Sequence, residues 1–75
     1  MTREEFIVFL EEFKNEYDRS PDDWENGNLS DFLEAMIAYT KDIQGYYDNM
    51  KMNVNADEPS WENFSNILKG ARIYE

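Results

Sequence analysis

The carboxylates carry most of the chemical potential of this sequence. Glu11, Glu12 and Glu16, followed by Asp18, Asp22, Asp23 and Glu25, are crowded into a short N-terminal stretch. Two carboxylates hydrolyse glycosides when a cleft holds them about 5–9.5 Å apart and an apolar setting keeps one protonated. Many pairs here reach that spacing, yet none stands in an apolar stretch that would raise its pKa. The chain has no histidine and no cysteine. Serine–histidine, cysteine–histidine and zinc-hydrolase constellations are therefore absent. The expectation is a protein that is not an enzyme and uses no cofactor.

Asn53, Asn55, Asp57 and Glu58 offer oxygen ligands at two-residue spacing, loosely as in a calcium loop. Such a loop needs glycine at its sixth position and glutamate at its twelfth. Counted from Asn53, those places hold Glu58 and Phe64. No metal site is expected.

The acidic run has two further readings, a solvated surface or a docking patch. Net charge is −10. Residues 1–26 carry −6 of it, and the two remaining thirds −2 each. Phosphate backbones and anionic lipids repel such a chain, so nucleic acid and membrane surfaces are not its partners. No apolar run of about 18 residues could span a bilayer. A basic protein surface would attract it, since complementary charge speeds encounter and selects partners. Tyr39 and Tyr46, beside Tyr47 and Met50, are either core rings or interface residues of the kind enriched at binding hot spots. The candidate partner-binding residues are thus Glu11, Glu12, Glu16, Asp22, Asp23, Tyr39 and Tyr46. Trp24 and Trp61 are expected to cap the core. Arg72 suits a helix C-terminus and a pairing with an acid of the first segment.

These side chains need a scaffold, and the apolar spacing supplies one. Thr2 with Glu5 forms a capping box, and Phe6, Phe9, Leu10, Phe13 and Tyr17 make one helical stripe. This predicts a helix over about 3–18. Ser20-Pro21-Asp22-Asp23 predicts a short helical turn near 21–25. Asn28 caps a second helix over about 29–50, with Leu29, Phe32, Leu33, Met36, Thr40, Ile43 and Tyr47 as its stripe. Ile37 widens that stripe on one side, and Ala35, Tyr39, Tyr46 and Met50 on the other. A stripe this broad predicts a central helix touching two neighbours. Gly45 predicts a bend or an early end there. A third helix over about 59–72 carries Trp61, Phe64, Ile67, Leu68 and Ala71. Ile73-Tyr74-Glu75 is expected to leave the helix and tuck against the core. The fold is an all-α irregular bundle of three main helices, one domain over 1–75. Its core is small but built from large rings, for 12 of the 75 residues are aromatic.

Trp24-Glu25-Asn26, Leu29 with Asp31-Phe32-Leu33-Glu34-Ala35, Pro59-Ser60-Trp61 with Phe64, and Ala71-Arg72-Ile73-Tyr74-Glu75 together form a recognisable pattern. On these residues the chain resembles a family of short acidic bacterial domains of unknown function. The likeness covers about two-thirds of the chain, from Trp24 to the end. It implies a bacterial cytoplasmic origin and brings no known activity. Trp-Glu-Asn also occurs twice, at Trp24 and at Trp61, each time after a proline start signal.

The expected function is protein–protein contact with a basic partner, as an inhibitor, immunity-like or adaptor protein, in the cytoplasm. The alternative is a structural or homo-oligomerising module, monomer or weak homodimer in solution.

Overall fold

The Thr2 hydroxyl accepts a hydrogen bond from the Glu5 N–H (3.1 Å), and the Glu5 carboxylate accepts one from the Thr2 N–H (2.8 Å). This reciprocal cap starts α1, Arg3–Arg19, in the computed structural model, which describes residues 1–74. Ser20 closes α1 by donating its N–H to the Glu16 carbonyl (3.0 Å), and its side chain caps nothing. The turn that follows is shorter than expected, a single 3-10 turn over Pro21–Asp23. Trp24 lies just past it in extended backbone, its ring against Phe13 and Tyr17 at 4.7 and 5.1 Å.

Asn28 caps α2, Leu29–Asn49, its side-chain oxygen accepting from the Asp31 N–H (2.8 Å). Gly45 does not end this helix. The end comes four residues later, where the Met52 N–H donates to the Tyr47 carbonyl (2.8 Å) and the Lys51 N–H to the Asp48 carbonyl (3.1 Å). Lys51 adopts the left-handed conformation, φ 56°, that this closure usually assigns to glycine. The third helix, α3, spans Trp61–Ala71 and starts two residues after the expected Pro59. The reason is that Ser60 remains extended and acts as the cap, its hydroxyl accepting from the Asn63 N–H (3.1 Å). No strand occurs among the described residues.

The shortest helix proves to be the central one. Cα atoms of α2 and of α1 come within 8 Å of those of α3, but none of α1 comes that close to α2. This corrects the expectation that the second helix lies in the middle. Small residues explain it: Ser65 and Ala71 are enclosed on α3, and Gly70 lies under the ring of Tyr39. They let neighbours approach α3 closely beside its apolar stripe of Trp61, Phe64, Ile67 and Leu68.

Between α2 and α3 the fully buried residues are Ile43, Tyr47 and Ala71. The Tyr47 hydroxyl donates to Asn63 Oδ1 (2.7 Å) and accepts from Asn66 Nδ2 (3.0 Å). Asn63 Nδ2 in turn donates to the carbonyls of Asn55 (3.0 Å) and Glu58 (2.7 Å). Gln44 holds the same connection from the other side: its Nε2 donates to the Val54 carbonyl (3.1 Å), and its Oε1 accepts from the Ala56 N–H (2.8 Å).

The helix α1 meets α3 through rings. Phe6 lies 5.1 Å from Trp61 and 6.5 Å from Phe64, and Phe9 and Phe13 continue the row. At the far end Phe13, Trp24 and Phe32 gather within 4.7–6.3 Å. There alone do rings of α1 and α2 meet. Both tryptophans are half-buried, one at each end of the α1 row. The radius of gyration is 12.6 Å, against about 11 Å for a close-packed domain of this length. The molecule is slightly more open than its size requires.

The tail divides. Tyr74 folds back onto Tyr39 (5.1 Å between ring centroids), and its hydroxyl donates to Asp42. Ile73 does not tuck in; it stays exposed. Glu75 lies outside the described residues.

Candidate functional site

The carboxylates singled out from the sequence do not form one patch. Adjacent positions on a helix differ by about 100°, so Glu11 and Glu12 leave α1 in different directions. Glu12 and Glu16 border a hollow that also contains Lys69 and Arg72. Glu16 Oε2 accepts from Arg72 Nη1 (2.7 Å), and Glu16 is partly covered, whereas the sequence placed it on the solvent side. Asp23 joins Glu16 and Arg72 around an adjoining hollow with Arg19 and Trp24. Glu11 and Asp22 stay outside both hollows, exposed. The structure therefore brings Glu12, Glu16 and Asp23 around a guanidinium. It leaves Glu11 and Asp22 as isolated surface charges.

The same cation serves the core. The Arg72 guanidinium lies 5.9 Å from the Trp24 ring centroid, and Lys69 Nζ lies 5.5 Å from that of Phe9. Both positive groups of α3 are thus turned toward α1. Just beyond, Asn26 Nδ2 donates to the carbonyls of Ala71 (2.8 Å) and Tyr74 (2.7 Å), and the Asn26 N–H donates to that of Arg72 (3.2 Å). The two Trp-Glu-Asn segments are alike in this respect. Each sets an indole on the α1 row and uses its asparagine side chain to hold two backbone carbonyls, far along the chain for Asn26 and in the preceding loop for Asn63.

Tyr39 and Tyr46 come together beside Asn66, Gly70, Ile73 and Tyr74, in an open hollow of about 640 Å³. Tyr39 is largely engaged, flat on Gly70 and edge-on to Tyr74. Burial raises its pKa above 10.0, helped by the neighbouring Tyr46 and Tyr47. The Tyr74 hydroxyl is also raised, because its proton is held by Asp42. Tyr46 remains exposed. Two carboxyls are displaced, both downward. Glu5 is held low by the Thr2 backbone and hydroxyl, and Glu62 by the N-terminal ammonium of Met1.

One row of α2 that reads as core from the sequence is exposed. Leu29, Leu33 and Ile37, at i, i+4 and i+8 on α2, are 72%, 48% and 61% exposed. On α1, Leu10 is 40% exposed, one turn from both Phe6 and Phe13. On α3, Phe64 is 41% exposed although it touches Phe6 and Trp61. The spacing was legible in the sequence. What it did not reveal was that α1 and α2 stay apart except where Phe13 meets Phe32.

The model of a family of unknown function (DUF7660) matches residues 2–75. The chain belongs to that family. No curated protein and no solved structure matches it. DUF7660 membership thus accounts for the resemblance and extends it over α1. In this DUF7660 chain, two of the segments that carry the resemblance meet in space, since Asn26 holds the backbone of Ala71, Arg72 and Tyr74. Among the described residues, no helix is long and apolar enough to cross a membrane, and no three His, Cys, Asp or Glu side chains are grouped to hold a metal ion.

Proposed function

We propose that this protein is a non-catalytic binding module of the bacterial cytoplasm that docks a basic protein partner. The observation that carries the reading is the uncovered row Leu29, Leu33 and Ile37, one helical turn apart along α2. Contiguous apolar surface on a small protein marks contact with another molecule. Fully burying a Leu, Ile or Phe side chain contributes about 1.5–3 kcal/mol. Covering the exposed halves of several such residues is worth on the order of 3–6 kcal/mol, a useful fraction of a micromolar affinity of about 8 kcal/mol. The surplus of ten negative charges selects the sign of the partner. Glu11, Asp22 and Asp23 are exposed and Glu12 borders a hollow, so all can steer a cationic surface, and Tyr46 offers an accessible ring. Glu16 and Tyr39 are engaged inside the molecule, by Arg72 and Gly70, and so are not free to meet a partner.

The experiment is affinity capture from the native cell, comparing the natural chain with Leu33→Asp and Ile37→Asp. A partner lost from both variants, and lost from the natural chain as salt rises from low to moderate concentration, supports the reading. Capture that ignores both changes defeats it. Tyr46→Ala separates the tyrosine flank: retained folding with weakened capture extends the contact surface to that side.

A further inference from the structure

We infer that the exposed face of α2 pairs with the same face of a second copy, the two helices running antiparallel about a twofold axis beside Ile37. The inference goes beyond the binding reading and concerns the chain on its own: a basic partner that uses this row displaces the copy. Exposure marks the face. Leu29, Leu33 and Ile37 are open, and so are Ser30, Glu34, Thr40 and Lys41, which fill the remaining places on the same side of α2. The buried residues of this helix, Ala35, Ile43 and Tyr47, leave that side free.

The charges beside the row say what covers it. Lys41 is the only base of α2. Glu34 precedes it by seven residues, about two helical turns, so both stand on one side of the row with Ile37 between them. Neither has an opposite charge within 4.0 Å among the described residues. Two other acids of α2 point elsewhere. Asp31 and Asp42 lie more than about 100° around the helix from Ile37. Asp31 lines the hollow with Asn26 and Tyr74, which Glu34 also borders, and Asp42 holds the Tyr74 hydroxyl. A face with one acid and one base, both unpaired, is complementary to itself when reversed. In an antiparallel pair Glu34 meets the copy's Lys41, and Lys41 the copy's Glu34, as a twofold interface requires. Ile37 then packs beside its own counterpart and Leu33 against the copy's Thr40. A parallel pair sets Glu34 level with Glu34 and Lys41 level with Lys41. Each copy carries −10, yet at physiological salt exposed charges more than about 8 Å apart are largely screened, and the two contact pairs are closer than that.

Sedimentation equilibrium of the whole chain at about 0.15 M salt reads the pairing. A concentration-dependent monomer–dimer equilibrium is expected. Ile37→Asp abolishes the dimer, whereas Val8→Asp, at an exposed position of α1, does not. Glu34→Lys and Lys41→Glu each weaken it about tenfold, because two attractive pairs become repulsive. The two changes together restore it to within about threefold of the natural chain. All these positions are exposed, and circular dichroism checks that each variant keeps its helices. The sequence has no cysteine, so a single introduced thiol reports the orientation. On oxidation Ile37→Cys should cross-link to its counterpart and Ser30→Cys should not; a parallel pair would cross-link at both. A monomer throughout overturns the pairing and leaves the basic-partner reading standing. A dimer that survives Ile37→Asp overturns it by placing the interface elsewhere. A dimer indifferent to the charge exchange, or cross-linked through Ser30→Cys, overturns the antiparallel arrangement.

Discussion

The ring of Tyr39 lies so close over Gly70 that a Cβ at position 70 would sit 2.1 Å from its Cε2. At Gly45, on the neighbouring helix, nothing lies within 4 Å of the same position. One chemical change should therefore have opposite signs at two helical sites. Gly45→Ala gains helix propensity and stabilises by about 0.5–1 kcal/mol. Gly70→Ala makes the same gain but forces the tyrosine away, for a net loss of about 1–2 kcal/mol. Urea denaturation of both variants measures this. In a Tyr39→Ala background the penalty at Gly70 should vanish; if it persists, the ring is not its cause.

Tyr47→Phe removes a hydroxyl that Asn63 and Asn66 both use. The cost is about 1–3 kcal/mol, because buried amide groups lose a partner they cannot replace with water. Asn63→Ala does more. It also strips two carbonyls, of Asn55 and Glu58, and should release the connection between α2 and α3. Faster amide exchange at Ala56 and Glu58 reads that release, and unchanged exchange would argue that Gln44 holds the segment alone.

Lys51→Gly should stabilise. The left-handed backbone at Lys51 costs a side-chain-bearing residue about 1–2 kcal/mol, and glycine avoids it at the expense of greater freedom when unfolded. A gain of about 0.5–1 kcal/mol is expected, seen as a higher urea midpoint with unchanged m-value.

Alkaline pH should weaken the fold through its tyrosines. Tyr39 and Tyr74 have folded-state pKa values raised above 10.0, by burial and by the bond to Asp42 respectively. A raised folded pKa gives stability that is complete below the unfolded value and is lost as pH climbs through the folded one. The urea midpoint should fall as pH rises past 10, and Tyr39→Phe with Tyr74→Phe should flatten that decline.

The sequence made the helices legible because local physics defines them. Thr2 with Glu5, and Asn28 before Asp31, are caps recognisable without tertiary context. Arg72 was expected to find an acid of the first segment, and it meets Glu16. The order of packing was not legible. Periodicity counts apolar residues and cannot tell whether they become covered, so Leu29 and Leu33 read as core. It gives no weight to Ser65, Gly70 and Ala71, whose small size lets α3 occupy the centre. Asn26 and Asn63 were invisible for a related reason: an asparagine that holds distant carbonyls looks like any polar surface residue until the chain has folded.

The unequal attachment of the three helices also shapes how the molecule comes apart. α2 and α3 share buried side chains and a connection pinned from both sides, while α1 is held by rings, one guanidinium and the contact between the Met1 amine and Glu62. The N-terminal helix should swing free while the other two remain joined, so amide protons of Phe9 to Phe13 exchange earlier than those of Ile43 to Tyr47. A thermal excursion would then expose Phe6, Phe9 and Phe13 as an aromatic strip. The molecule's vulnerability to self-adhesion on heating would reside in its first helix, well before global melting.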